Sequence, residues 1–170
     1  QETRTVVERV KKASVKNVAG SIVVRNVSSG VSAVTYEGDI TVEESKGPLM
    51  LESTTGNIVV FEAGPSESGD IFKAKTNSGA ISLQALRYRQ VEVGSISGSV
   101  VFTGPILSGA DYSFGTSNGS IRLTLPRAAA FKLAATFASG SFSSDLPFEL
   151  LTENITERAK SIVGQFGSGN

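Results

Sequence analysis

The chain has 170 residues, of which 39% are hydrophobic and 19% are charged, and its 16 basic and 16 acidic side chains balance to zero net charge. This composition is typical of one folded domain, which we assign to residues 1–170, and the zero net charge gives no basic field that would recruit nucleic acid. The sequence contains no cysteine and no histidine, and therefore neither thiolate metal ligands nor the commonest general base, so we expect no enzyme, cofactor or metal site.

The N-terminal residues 1–13 mix charged side chains with valines. We expect them to form a cap or a first strand that leads into the rest of the fold, because stacked strands need an end piece that protects the open backbone edge. No apolar run in the chain approaches the roughly 18 residues of a membrane-spanning helix, so we expect no membrane span.

A five-residue phrase recurs along residues 14–144: glycine, a small or polar residue, an apolar residue, any residue, and usually Val or Leu. The steps between its glycines are 18, 18, 23, 19, 21 and 21 residues, and a period near twenty is typical of a repeat architecture. Turn-forming residues precede most of these glycines, and glycine adopts positive φ without the steric cost of a Cβ atom. We therefore predict that all seven are turn residues at the corners of the repeats: Gly20, Gly38, Gly56, Gly79, Gly98, Gly119 and Gly140.

Each repeat contains two short runs in which apolar residues alternate with variable ones, as in Ile22/Val24 and, about ten residues later, Val31/Ala33. Period-two alternation predicts strands that bury one face, and helical periodicity is missing almost throughout. We predict an all-β fold, namely a single-stranded, right-handed β-helix (β-solenoid) of about seven repeats of 18–23 residues with two strands per repeat. A β-sandwich also has short strands at regular spacing and is the alternative, although it does not require a glycine phrase at a near-constant step.

The phrase decays after Phe142, and we expect an irregular C-terminal segment over residues 145–170. Within it, Thr152 to Lys160 is expected to be a loop or one or two helical turns, and Ser161 to Phe166 a last strand. A further repeat could follow this segment, and a stack that stops before that repeat would leave a C-terminal edge open to self-association.

The repeat is interrupted at residues 61–70 and 103–111, and we expect any binding site at these two places, because insertions between stacked units emerge as loops on one face. The first interruption has the glycine spacing of a phosphate-binding loop, from Gly64 to Gly69. Asp70 and Ile71 follow where that motif requires Lys and Ser or Thr, so phosphate binding is not predicted.

Charged residues suggest two further sites. Alignment of the repeats places Glu44 over Glu62, with Asn26 one repeat above, and Asp39 over Asn57; such a column either binds a divalent cation or is a solvated face. Residues 71–132 carry seven basic and two acidic side chains, a net charge of +5. Four of the basic residues either bind an anionic glycan or polymer or simply lie on a solvated strand face: Lys73, Lys75, Arg87 and Arg89.

The phrases Gly38–Val42, Ser53–Ile58 and Thr116–Ile121 resemble the adhesin-like β-solenoid domains of bacterial cell-envelope proteins. The resemblance covers about residues 14–144 and implies an extracytoplasmic location, in the periplasm or at the cell surface. It implies a non-catalytic binding or structural module, with a glycan, another envelope polymer or a protein as partner, and it defines no catalytic residues. A self-assembling β-solenoid scaffold and a polysaccharide-active β-helix enzyme are the alternative functions.

Overall fold

The computed structural model describes residues 4–104, 109–124, 131–139, 141–144, 149–156 and 159–166. All seventeen regular elements in these ranges are β-strands, which form two sheets, called sheet A and sheet B below. The predicted all-β class is therefore confirmed.

The chain alternates between the two sheets. In spatial order, sheet A contains β1 (Thr5–Glu8), β3 (Ile22–Arg25), β5 (Ile40–Lys46), β7 (Ile58–Gly64), β9 (Ile81–Leu86), β11 (Val100–Thr103), β13 (Ile121–Thr124) and β15 (Phe142–Ser144). Sheet B contains β2 (Ala13–Ala19), β4 (Val31–Glu37), β6 (Leu49–Thr55), β8 (Ile71–Ser78), β10 (Gln90–Ser97), β12 (Asp111–Asn118) and β14 (Phe131–Ser139), followed by β17 (Ala159–Phe166) and β16 (Glu149–Thr156). Up to β15, each strand pairs in parallel with the strand one turn away, which confirms the β-solenoid, here of about six turns, and rules out the β-sandwich.

The register places equivalent residues of successive turns directly beside one another. One inward-facing column of sheet A consists of Ile22, Ile40, Ile58, Ile81, Val100 and Ile121, all fully buried. Complete burial of one such side chain contributes roughly 1.5–3 kcal/mol, so the predicted alternation produces the core between the two sheets.

The composition of the core changes along the solenoid. The 18-residue turns are filled by aliphatic side chains, whereas the longer turns that follow also contain buried aromatic rings. Phe72 contacts Tyr88 with ring centroids 5.7 Å apart, and Phe102 meets Tyr112 edge-on at 5.5 Å. Pairs of this kind contribute roughly 0.5–1.5 kcal/mol beyond the area that they bury.

The N-terminal segment forms a first strand, as one of the two expected alternatives. β1 pairs in parallel with β3, in the register Thr5 to Ile22 and Val7 to Val24. It thereby covers the edge of sheet A that the first complete turn would otherwise expose.

The C-terminal segment differs from the prediction. The expected irregular segment, with a loop or helical turns at Thr152 to Lys160, is wrong, because β16 and β17 form an antiparallel hairpin that adds to the edge of β14. Antiparallel strands can be joined by a short connection, whereas parallel pairing would need another turn of the solenoid. The hairpin therefore pairs the open edge of β14 without such a turn. The expected last strand at Ser161 to Phe166 is confirmed as part of β17.

The phrase glycines lie at the corner between a strand of sheet B and the next strand of sheet A. Five of them have φ between 119° and 155°, as predicted: Gly20, Gly38, Gly56, Gly79 and Gly98. Gly119 is not among the glycines of positive φ, and Gly140 lies outside the described residues. A second reason for glycine at these corners was not predicted. A Cβ atom would collide with the carbonyl oxygen of the phrase glycine one turn earlier at each of Gly38, Gly56, Gly79, Gly98 and Gly119. Glycine is therefore needed for the close stacking of the corners as well as for φ.

Candidate functional site

The insertion loop at residues 65–70 lies between β7 and β8 and is organised by one carboxylate. Asp70 Oδ2 accepts hydrogen bonds from the backbone amides of Ser66 at 2.8 Å and Glu67 at 2.9 Å, and from the Ser66 hydroxyl at 3.0 Å. The bond from the Glu67 amide, assisted by those from Ser66, lowers the pKa of Asp70, against a smaller opposing effect of burial. The amides that a phosphate would need are thus occupied by a carboxylate of the loop itself.

A cleft of about 290 Å³, called the corner cleft below, lies on the N-terminal side of this loop. Glu44, Glu62 and Arg87 line it, and both carboxylates are exposed to solvent. The pairing of Glu43 with Phe61 and of Ser45 with Ala63 confirms that Glu44 stacks over Glu62.

The backbone explains this column without a ligand. Asn26, Glu44 and Glu62 all have φ between 47° and 53°, as Arg9 and Ala85 also have positive φ in other turns. The left-handed conformation therefore recurs at the equivalent position of several turns, at or near the C-terminal end of the sheet A strand, and is not special to the acidic pair. Within the described residues, no three acidic side chains converge in an arrangement that could hold a metal ion, so the cation hypothesis gains no support.

Asp39 and Asn57 form the other predicted column, and their stacking is confirmed. Asp39 Oδ1 accepts a hydrogen bond from the Asn57 amide at 2.8 Å, and Asn57 Oδ1 accepts one from the Ala80 amide at 2.9 Å. These side chains satisfy backbone donors of the next turn, which gives the column a structural role.

The four basic residues proposed as an anion-binding patch are divided among different surroundings. Lys73 and Lys75 lie on the outer face of sheet B, where Lys73 Nζ is 3.4 Å from Glu92 Oε2 and Lys75 is the register partner of Glu52. Arg87 lines the corner cleft, and Arg89 lies in the connection between β9 and β10. A ligand for all four is therefore not indicated, and anion binding by any one of them remains a prediction.

A second concavity, called the axial groove below, crosses the outer face of sheet B and has a volume of about 380 Å³. Its walls are apolar and contain Val31, Pro48, Leu49, Met50 and Ile71. Its rim is polar and contains Lys12, Ser32, Lys73 and Glu92. The groove runs across the strands from β4 to β10, a distance of about 14 Å at the usual strand spacing.

The axial groove lies where small residues stand beside larger ones. Ser32, Met50, Lys73 and Glu92 are successive members of one outward-facing column. Ser32 is short, and the neighbouring Gly30 has no side chain, whereas Met50 beside them is 48% exposed. Ile71, 45% exposed, begins β8 directly after the insertion loop.

The sequence pattern did not identify the axial groove. The available signal was two large apolar residues, Met50 and Ile71, at positions where the period-two alternation points outward. A further depression of about 250 Å³ continues from Ile71 and Glu92 to Asp111 and Ser113. Asp111 is the last residue of the second predicted interruption, 103–111, of which residues 105–108 lie outside the described residues.

The described residues contain no helix with the length and apolarity to cross a membrane. Comparison of the chain with protein-family models, with curated proteins and with solved structures gives no match. The candidate site is therefore defined by its geometry alone, as the corner cleft and the axial groove on the two sides of the insertion loop.

Proposed function

We propose that the chain is a non-catalytic, adhesin-like module of the bacterial cell envelope, with a binding or structural role outside the cytoplasm. The observation that carries this proposal is the placement of the corner cleft and the axial groove beside the insertion loop of a rigid solenoid. Binding residues commonly lie on and around loops that a rigid scaffold positions. The G-x-I-x-V phrases that resemble adhesin-like domains support the envelope assignment.

The exposure of the paired carboxylates favours binding over catalysis. A catalytic pair of carboxyl groups needs an environment that raises the pKa of one of them, which burial in an enclosed site provides. Glu44 and Glu62 are instead exposed in the corner cleft, next to Arg87.

The experiment is a parallel test of binding and turnover on a panel of envelope and plant polysaccharides. We expect retention of the protein on at least one polymer in affinity electrophoresis and no release of reducing ends or unsaturated sugars. Turnover that disappears in the Glu44→Gln/Glu62→Gln double variant would support the enzyme and contradict the proposal. Fractionation of cells that express the full-length gene tests the location, and a purely cytoplasmic product would contradict that part.

A self-assembling scaffold is the second candidate function. It is favoured by β2, the strand at the N-terminal edge of sheet B, which pairs with β4 on one side. Val18 on this strand is 75% exposed, and an unpaired edge with exposed apolar side chains can template strand addition. Concentration-dependent oligomers that Val18→Lys abolishes would favour the scaffold, whereas a monomer at all concentrations would argue against it.

A further inference from the structure

We infer that the axial groove binds a small monoanionic amphiphile, of which a medium-chain carboxylate such as octanoate is the simplest example. The inference goes beyond the proposed envelope role and does not depend on it. It rests on the apolar walls of the groove, on the charges at its rim and on its size.

The walls offer an apolar surface to a ligand. Met50 and Ile71 are 48% and 45% exposed although each is large and hydrophobic, and both line this one groove with Pro48. Two half-exposed aliphatic side chains in one concavity can be covered together by a single alkyl chain that lies along the solenoid axis. Transfer of such surfaces out of water is the main favourable contribution to binding.

The rim favours one negative charge. Lys73 and Glu92 neutralise each other in an ion pair of 3.4 Å. Lys12, the third ionisable residue of the rim, has no ion pair with any described residue. The groove therefore has a local charge of +1, which complements a carboxylate at the end of an apolar chain.

The geometry favours a small ligand over a polypeptide. The groove crosses the interior strands β4, β6 and β8, whose backbone groups are already paired on both sides, so it offers no edge for strand addition. Its volume of about 380 Å³ lies in the roughly 300–1,000 Å³ range of small-ligand pockets. The ten residues that line it are fewer than the roughly 20–30 residues that each partner contributes to a stable protein interface.

The test is calorimetric titration of the intact protein with octanoate, 1-octanol and octylammonium. We expect saturable binding of one octanoate per chain, and octylammonium binding weaker by about tenfold or more, since Lys12 repels the cation. Ile71→Gln should weaken octanoate binding by about tenfold because the alkyl contact is lost. Ile96→Gln is the matched control, since Ile96 is 54% exposed on the same sheet and lies outside the groove, and it should change nothing.

A second pair of variants separates the charge from the apolar contact. Lys12→Gln should weaken octanoate binding several-fold and leave octanol binding unchanged, and Lys16→Gln, on β2 outside the groove, should affect neither. Ser32→Tyr, which fills the groove from an outward position, should abolish binding of both ligands while the thermal unfolding transition is retained.

Four results would overturn the inference. The first three are the absence of saturable octanoate binding, equal losses in Ile71→Gln and Ile96→Gln, and octylammonium binding as tight as octanoate binding. A dimer in sedimentation velocity that Ile71→Gln dissociates would show that a second copy covers the groove, and this too would overturn it. Failure of these tests would leave the polysaccharide experiment unaffected, so the two proposals are separately testable.

Discussion

Tyr88 donates the hydrogen of its hydroxyl group to the carbonyl oxygen of Gly47 at 2.7 Å, across 41 residues of sequence. Both residues are buried, and the Tyr88 carbonyl oxygen in turn accepts a hydrogen bond from the Tyr112 hydroxyl at 3.3 Å. The two tyrosines thus connect the corner at Gly47 with two later turns through the core, at the point where the repeat changes from 18 residues to 23.

Replacement of Tyr88 by Phe is expected to lower the free energy of unfolding by about 1–3 kcal/mol, because it leaves a buried carbonyl oxygen without a donor. Urea denaturation followed by circular dichroism measures the change. Tyr36→Phe is the control: Tyr36 is 59% exposed, and its variant should stay within about 0.5 kcal/mol of the parent protein. Equal stabilities of the Tyr88→Phe variant and the parent would contradict the importance of the bond to Gly47.

The buried phenol of Tyr88 is expected to make the protein less stable at alkaline pH. Burial raises the pKa of the Tyr88 phenol well above its ordinary value of 10.0, and the nearby Asp70 carboxylate raises it further. Above pH 10 the unfolded chain releases a proton that the folded protein retains, so the free energy of unfolding should fall with pH, by up to about 1.4 kcal/mol per pH unit from this group. The difference in unfolding free energy between the parent and Tyr88→Phe, measured from pH 9 to pH 11, isolates this contribution. A difference that does not change with pH would contradict it.

The Asp70 carboxylate is expected to control the order of the insertion loop. Asp70→Ala should accelerate hydrogen exchange at the Ser66 and Glu67 amides, because both lose their acceptor. Since the folded pKa of Asp70 is lowered from 3.8, its contribution to stability is complete above pH 3.8 and is lost as the pH falls through the folded value. The chemical shifts of the two amides should therefore titrate with a midpoint below 3.8. Glu67→Gln, in the same loop, is the control, because it changes a side chain and keeps the amide that donates to Asp70. A midpoint at or above 3.8 would contradict the assignment of this titration to Asp70.

Much of the fold was predictable because stacked turns repeat their local requirements. The glycines at the corners and the alternating aliphatic residues recur in each turn, since each turn must bury one face of its strands and stack closely on the neighbouring turns. The C-terminal hairpin was not predictable in this way, because β16 and β17 end the stack by antiparallel pairing and obey no repeat. The polar run Thr152-Glu153-Asn154 also hides the alternation of β16.

The candidate site was predictable only in its approximate place. Residues 62–64 of the predicted interruption at 61–70 line the corner cleft, and Ile71, the first residue after it, lines the axial groove. The groove, however, joins Lys12 to Glu92, and this juxtaposition depends on the register of five strands. That register follows only when the extra residues of the 23-residue step are assigned to the loop before Ile71, which brings Met50 beside Lys73.

A column of buried hydroxyl groups, three residues before the phrase glycines, also escaped prediction. Each hydroxyl donates to the carbonyl oxygen of the phrase glycine one turn earlier, over 3.0–3.5 Å. The members are Thr35, Ser53, Thr76, Ser95 and Thr116, all at most 6% exposed. The pattern Ser/Thr-x-x-Gly is visible in the sequence, but a small polar residue near a turn glycine does not by itself indicate a buried side chain.

Thr76→Val tests this column, because valine keeps the shape of threonine and removes its hydroxyl. The Gly56 carbonyl oxygen would lose a donor at 3.1 Å, and we expect the free energy of unfolding to fall by about 1–3 kcal/mol. Thr54→Val, at a half-buried position of β6, is the comparison and should have a smaller effect. Equal effects in the two variants would mean that the hydroxyl column adds nothing specific.

Replacement by alanine is expected to be damaging at a corner glycine and harmless at a glycine inside a strand. Gly56 has φ of 150°, and a Cβ atom there would collide with the backbone of Gly38, so Gly56→Ala should cost about 3 kcal/mol or more, or prevent folding. Gly94, in the interior of β10, is not among the glycines of positive φ, and a Cβ atom added to it would have nothing within 4 Å. Gly94→Ala should therefore raise stability by about 0.5–1 kcal/mol, since alanine loses less conformational entropy on folding. Thermal unfolding of both variants decides the matter: similar midpoints would show that close stacking of the corners does not require glycine.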